Sequence, residues 1–371
     1  MALFVGVISG TSVDGIDTAL LDIEANQRPR LLAAKTYAYP TAIRSAIHQL
    51  IKRPRCNLQE LGELDMALGN VYAEAVLNLL SLAECQPSEI TAIGCHGQTI
   101  YHAPKAIRPF SMQIGNANLI AELTGITTVS DMRQRDMVCG GQGAPMVPGF
   151  HEEMFSHKTE NRVIVNIGGI ANITVLPADK SKAILGFDTG PGNTLLDAWI
   201  ENQLGKPFDA NGDWAASGKC NNELLEHLID EAYFSLPVPK SSGRELFHLD
   251  WLQQRLARSK QSYAAEDIQA TLLTLTATSI AEAINQYAPD CQRAVICGGG
   301  AHNAQLMRTL EEKLPSIVVD KANQYGMDVD FIEAGAFAWL ASRTINRQSG
   351  SIPSVTGAHR ASILGGIYWS Q

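Results

Sequence analysis

Ser9-Gly10-Thr11-Ser12-Val13-Asp14-Gly15-Ile16-Asp17 joins two apolar runs, Leu3 to Ile8 and Ile16 to Ile23. Two short apolar runs linked by a turn with a glycine at each shoulder read as a β-hairpin. Glycine lets the backbone turn tightly and present N–H groups to an anion. Thr11 and Ser12 add hydroxyl donors, and Asp14 at the tip could hold Mg²⁺ directly or through water. A plain hairpin needs none of this, since Asp-Gly is itself a strong turn signal. The crowding of Thr, Ser and Asp between the glycines tilts the reading towards phosphate.

Outward from this hairpin, Leu31 to Tyr37 reads as a third strand and Leu58 to Leu82 has helical spacing. Ile90 to Cys95 is a strand ending in His96-Gly97-Gln98. Ala117 to Leu123 is a helix, and Thr127 to Val129 a strand leading into Asp131-Met132-Arg133. Cys139 to Pro148 is rich in Gly and Pro and reads as a structured loop or hinge. The second half then repeats the opening. Val163 to Ile167 is a strand, Gly168-Gly169 the turn, Ala171 to Leu176 the return, and Ala183 to Phe187 the third strand. A long helix spans Asp267 to Tyr287. Ala294 to Cys297 runs into Gly298-Gly299-Gly300, followed by a helix from Asn303 to Lys313; Ile317 to Val319 is a short strand, and Glu333 to Ile345 is helical. Two α/β halves of one pattern predict a ligand cleft between them.

The chain has 371 residues, enough for two or three domains, each with its own core. With 45% hydrophobic and 18% charged residues it has the composition of a globular protein. A net charge of -9 argues against nucleic acid as a partner. Seven cysteines without a CxxC pair fit reduced thiols in a cytoplasmic protein rather than a zinc site. The N-terminus reads as a strand, not a signal peptide, and no apolar run approaches a membrane span.

Asn166-Ile167-Gly168-Gly169 occupies the hairpin-tip position of the second half, so two facing glycine tips would clamp a polyphosphate; alone, it is a tight turn where backbones approach. Gly298-Gly299-Gly300, between strand and helix, leaves room for a flat ring or a phosphate, with Asn303 at the helix start. Neither GxxxxGK[ST] nor GxGxxG occurs. Asp188, in Gly186-Phe187-Asp188-Thr189-Gly190-Pro191-Gly192-Asn193, follows a strand and precedes the helix Leu195 to Leu204. It could take a proton from a nucleophile, or be a turn aspartate; Asn193 or Thr194 is better placed to cap the helix. Arg133 could fork onto a substrate carboxylate, or form an ordinary salt bridge.

Taken together, SGTSVDGID, CHGQTIYH, GQGAPMVP, NIGGIANIT, GFDTGPGN, FDANGDWAASGK, PKSSGRELF, ICGGGAHN and FIEAGAFAWLA, in this order from Val5 to about Ile367, resemble the anhydro-N-acetylmuramic acid kinases. The resemblance implies the sugar kinase, heat-shock-70 and actin superfamily: two RNase-H-like domains, α/β, with a nucleotide cleft between them. The expected domains are residues 1–135, joined by 350–371, and 136–349. ATP phosphates are expected at Gly10, Thr11, Ser12, Val13, Asp14, Gly15, Ile16 and Asp17, with Mg²⁺ at Asp14. Gly168, Gly169, Gly298, Gly299, Gly300 and Asn303 would complete the nucleotide site. Gln98, Arg133 and Asp188 would face the sugar, with Asp188 as base and Glu333 as a supporting carboxylate. A homodimer is expected. Proline is expected near Trp369, and alanine is common where Gly149 stands; neither departure touches a proposed catalytic residue.

The implied reaction opens 1,6-anhydro-N-acetylmuramic acid with water and phosphorylates the freed O6, in cell-wall recycling. An ordinary hydroxyl-sugar kinase, or a sugar-free ATPase module, would use the same fold.

Overall fold

A computed structural model describes residues 1–10, 12–243, 245–259 and 261–371. Its strands are β1 (Leu3–Ser9), β2 (Ile16–Asp22), β3 (Arg30–Tyr37), β4 (Ile90–Ala103), β5 (Phe110–Ile114), β6 (Thr128–Ser130), β7 (Arg162–Ile167), β8 (Ile170–Leu176), β9 (Leu185–Pro191), β10 (Arg293–Cys297), β11 (Val318–Lys321) and β12 (Gly366–Tyr368). The chain divides into two compact units, Met1–Met154 with Phe331–Gln371, and Phe155–Asp330.

In the first unit the sheet order is β12-β6-β4-β1-β2-β3, with β5 paired to β4. β1 pairs antiparallel with β2 and β2 with β3, β4 and β6 continue parallel from the other side of β1, and β12 pairs antiparallel with β6. The second unit has the order β11-β10-β7-β8-β9. Again the first three strands in sequence are antiparallel, and the next two are parallel. Each sheet is thus a meander of three strands extended by parallel strands on the side of the first, which is the RNase-H-like arrangement. The repeat expected from the pattern of the two halves is a repeat of topology.

Every residue of β1 is buried, as befits a central strand covered on both faces. Its Gly6, and Gly94 of β4, leave space where a Cβ would strike the backbone carbonyls of Ala334 and Phe337. The helix Ile332–Ile345 therefore lies directly on this sheet. That contact places residues 331–349 in the first unit, where the expected division had put them in the second.

The expected hinge also differs. Gln142 N–H donates to the Thr356 carbonyl at 2.9 Å, His359 N–H to the Cys139 carbonyl at 2.8 Å, and Cys139 Sγ lies 3.1 Å from Ser362 Oγ. The Gly/Pro-rich segment is thus fastened to the C-terminal segment of the same unit, and the boundary at 135/136 falls inside that unit.

Candidate functional site

The tip between β1 and β2 is built from inside outwards. Val13 is fully buried with φ 57°, a conformation a β-branched residue adopts only when its surroundings impose it. Arg44 imposes it from outside: its Nε donates to the Val13 carbonyl at 3.0 Å, and its Nη2 meets Asp14 Oδ1 at 3.3 Å. Asp14 is exposed at the apex. A Cβ on Gly15 would strike the Thr36 methyl. Ile16 is core, and Asp17 accepts from Thr36 Oγ1 at 2.6 Å. Gly10, Ser12, Asp14 and Asp17 are thus the positions at which the tip meets solvent, while Gly15 is buried; Thr11 lies outside the described residues.

Gln98 is not at a strand end. β4 runs on to Ala103, and Gln98 pairs with Ser9 on one side and Ile114 on the other. It is 0% exposed. Its Oε1 accepts from Ser9 Oγ at 2.8 Å and Tyr39 OH at 3.4 Å, and its Nε2 donates to the carbonyls of Gly10 at 3.3 Å and Thr99 at 3.2 Å. Tyr72 OH lies 2.8 Å from Ser9 Oγ and 3.2 Å from Tyr39 OH. Since Ser9 gives its proton to Gln98, Tyr72 must donate to Ser9. Every polar atom of the Gln98 side chain is engaged within the protein, and its nearest service is to hold the Gly10 turn.

Arg133 sits in the first turn of the helix Met132–Val138. Its Nε donates to His96 Nε2 at 2.9 Å and its Nη1 to the Gly143 carbonyl at 2.7 Å, leaving Nη2 and one Nη1 hydrogen for a ligand. Burial lowers its pKa to about 10, with Glu333 and Asp136 acting the other way. Burial, then the Arg133 charge, hold His96 well below the usual imidazole range, while the Gly97 backbone acts in the opposite sense. Glu333 is solvent-accessible but crowded by protein: desolvation raises its pKa, Asp17 adds to this, and Arg133 opposes it.

The loop that holds Arg133 depends on Asp136, a fully buried carboxylate overlooked in the sequence reading. Its Oδ2 accepts from Gly143 N–H and its Oδ1 from Thr356 Oγ1, both at 2.8 Å. The signal was there: Asp136 stands four residues after buried Met132, on the apolar face of a short helix.

In the second unit, Asp188 lies within β9, opposite Asn172, rather than beyond a strand ending at Phe187. It is pinned at three points. Its N–H donates to the Lys240 carbonyl at 3.0 Å, its own carbonyl accepts from Tyr233 OH at 2.7 Å, and its Oδ2 accepts from Ser242 N–H at 3.0 Å. Lys240 in turn donates to the carbonyls of Tyr233 at 3.1 Å and Phe234 at 2.7 Å. Desolvation raises the Asp188 pKa to about 6, with Glu245 adding and the Ser242 N–H opposing. Ser242 Oγ is buried without a hydrogen-bond partner. Tyr233, Lys240 and Ser242 were not singled out in the sequence; only the stretch carrying Lys240 and Ser242 was conspicuous.

The glycine turns of this unit come together. A Cβ on Gly298 (φ 79°) would strike Asn166 Oδ1, and one on Gly300 would strike Ile167. Gly168 and Gly169 receive Asn193 N–H at 2.8 Å and Gly192 N–H at 2.9 Å on their carbonyls. Asn193 does not cap its helix; its Nδ2 donates to the Ile167 carbonyl at 3.2 Å. Gly299 has open space beside it, with Asn193 Nδ2 the nearest atom at 3.8 Å. Asn303 is the N-cap of the helix Ala304–Lys313, its Oδ1 accepting from Leu306 N–H at 2.9 Å, which commits that oxygen to the fold.

A family model described as anhydro-N-acetylmuramic acid kinase matches residues 2–370. The chain belongs to the anhydro-N-acetylmuramic acid kinase family. Relatives bearing that name include those of Pasteurella multocida, 50% identical over 98% of this chain and 96% of theirs, and Saccharophagus degradans, 48% identical over 99% of each. The relative from Haemophilus influenzae is 46% identical over 98% of this chain and 97% of its own. Among solved structures, component A of the (R)-2-hydroxyglutaryl-CoA dehydratase of Acidaminococcus fermentans is 11% identical with a TM-score of 0.48, covering 91% of this chain and 96% of that one. Members of the family are phosphotransferases, and the sequence resemblance is borne out over the whole chain. Among the described residues no helix is long and apolar enough to cross a membrane.

Proposed function

We propose that this kinase opens the 1,6-anhydro bond of N-acetylmuramic acid with water and transfers the γ-phosphoryl of ATP to O6, with Asp188 as the base. The observation that carries this is the Asp188 carboxylate: one oxygen is held by Ser242 N–H, and burial raises its pKa to about 6. Such a group is ionised at pH 7 yet basic enough to accept a proton.

Water attacks the anomeric carbon and gives a proton to Asp188 as the C1–O6 bond breaks. Oxygen from water becomes the C1 hydroxyl. O6 attacks the γ-phosphorus, and ADP leaves. In the first unit the Gly10–Gly15 tip offers backbone N–H groups to phosphate, with Gln98 bracing it. Arg133 takes the lactyl carboxylate with its remaining Nη hydrogens, and Glu333 supports the reacting groups nearby. In the second unit, Gly168, Gly169 and Gly299 would leave the backbone bare for the nucleotide, with Gly298 and Gly300 closing the turn against Asn166 and Ile167.

Among the described residues no group of three or more His, Cys, Asp or Glu could hold a metal ion. Mg²⁺ at an ATP site keeps its waters and needs only one or two carboxylates beside the phosphates. Exposed Asp14 is the residue that would hold it. When bound, it would neutralise charge on the transferring phosphoryl. A cytoplasmic homodimer acting in cell-wall recycling completes the reading.

Asp188→Asn keeps the size and removes the basicity, and loss of a positioned base costs about 10²–10⁴-fold in kcat. ATP binding, measured by calorimetry, should persist. A variant that retains substantial kcat would remove Asp188 from this role.

A further inference from the structure

A cavity of about 580 Å³ opens in the first unit where the helix Thr41–Lys52 gives way to the helix Leu58–Leu82. Exposed Lys52, Arg53 and Arg55 stand at its rim, and half-buried Leu50, Leu61 and Leu64 form its floor. The charge here runs against the rest of the chain. The protein carries a net charge of -9, yet residues 41–59 hold Arg44, Lys52, Arg53 and Arg55 with no Asp or Glu. Among the described residues, no carboxylate pairs with Lys52, Arg53 or Arg55. The one acid in the lining, Glu60, is turned back on its own helix end: its Oε2 accepts from Asn57 N–H at 3.3 Å, and Asn57 Oδ1 accepts from Glu60 N–H at 2.8 Å. Three positive charges against one negative leave an excess of two.

The loop between the helices keeps these cations together. Pro54 fixes the backbone between Arg53 and Arg55, and Arg55 N–H donates to the Arg53 carbonyl at 2.6 Å. Like charges gathered on one turn repel, and an anion among them removes that cost. The excess matches the charge of a phosphate monoester near pH 7, and guanidinium groups fork onto its oxygens. The phosphodiester of a lipid headgroup carries only one charge and fits less well. The floor selects for more than phosphate. Leu50, Leu61 and Leu64 rest on the hydrophobic core of the unit from one side and face the cavity from the other, so an apolar body bound there is removed from water.

We infer that this cavity binds a small phosphate monoester with an apolar body, and that the bound ligand secures the helix Thr41–Lys52 and, through Arg44, the tip between β1 and β2. The helix needs securing. Only Ile47 of its twelve residues is fully buried, and Pro40 at its N-cap makes no side-chain cap; a helix so lightly held opens locally at little cost. Arg44 lies eight residues before Lys52, about 12 Å along the helix, and it is the residue whose Nε and Nη2 hold the Val13 carbonyl and Asp14. A ligand gripped by Lys52 and Arg53 favours the formed helix, and the formed helix keeps Arg44 on the tip. Where that tip takes ATP phosphate, as proposed above, the cavity becomes a control point for the nucleotide; binding and amide exchange test the inference without relying on that reading.

Phenyl phosphate is the probe, titrated by calorimetry into the whole protein. Two charge-assisted contacts put its Kd at about 1 mM or tighter. Arg53→Gln should weaken binding about tenfold, and Arg53→Gln with Arg55→Gln about a hundredfold; both side chains are exposed, so the variants keep the fold. Inorganic phosphate, which lacks the apolar body, should bind about tenfold more weakly than phenyl phosphate. With phenyl phosphate at about ten times its Kd, amide hydrogen exchange in residues 41–52 and 12–15 should slow about tenfold, as linkage requires of a ligand that binds only the formed helix. No binding up to about 10 mM, an isotherm unchanged by the double substitution, equal affinity for inorganic phosphate, or unchanged exchange in either segment overturns the inference.

Discussion

Replacing Gln98 by leucine separates a brace from a substrate contact. The amide is fully buried, so leucine fills most of its volume while removing four hydrogen bonds. The losses are unequal. Tyr39 OH can turn to Tyr72 OH, 3.2 Å away, and the Gly10 carbonyl keeps Val13 N–H at 3.1 Å. What remains is the Thr99 carbonyl, a weakened Gly10 carbonyl and a Ser9 hydroxyl without its acceptor. At about 1 kcal/mol or a little more for each, the cost is about 2–4 kcal/mol. For a unit of 150–250 residues each kcal/mol moves Tm by about 2–4 °C, so unfolding of the first unit should fall by roughly 4–16 °C. With the Gly10 turn released, KM for ATP should rise more than KM for the sugar. Calorimetry and steady-state kinetics on one preparation give both readouts. An unchanged Tm with a raised sugar KM would refute the brace and return Gln98 to the sugar.

Arg133→Lys cannot meet His96, Gly143 and a carboxylate together, so sugar KM should rise about tenfold or more with ATP KM little changed; equal changes would place Arg133 outside the sugar site. Protonated Asp188 cannot accept a proton, so kcat/KM should fall tenfold per pH unit below about 6; a flat profile down to pH 5 would exclude it as base. Gly94→Ala drives a Cβ into the Phe337 carbonyl, so it should destabilise the first unit by about 3 kcal/mol or more in a denaturant melt; a wild-type midpoint would mean the helix does not lie on the sheet as described.

The repeat of the fold was legible because glycine-shouldered hairpins and apolar runs are local features, and both sheets have the order that repeat predicts. Arg133 and the glycine turns stand where the pattern of the sequence breaks, whereas Asp188, expected just beyond a strand, lies inside β9. Gln98 was misplaced because Gly97, at φ 76°, looks like a strand end, whereas β4 continues past it. The unit boundary was missed because Gly6 and Gly94 reveal their purpose only when the helix they admit arrives from about 240 to 330 residues later in the chain. Ser242 serves a group brought near by a loop, and such a partner leaves no periodic trace in sequence; Asp136 left one in its helical spacing from Met132, but its partners Gly143 and Thr356 come from loops. Asn303 shows the reverse case: a conspicuous polar residue beside three glycines turned out to cap a helix.

An Asp188-activated water that opens the sugar before O6 is phosphorylated leaves its oxygen in the product. Mass spectrometry of the product formed from ATP and the anhydro sugar in ¹⁸O-water tests it directly. Water attack at the anomeric carbon places one ¹⁸O at the anomeric hydroxyl and none in the phosphate. Label in the phosphate, or an unlabelled product, would contradict it.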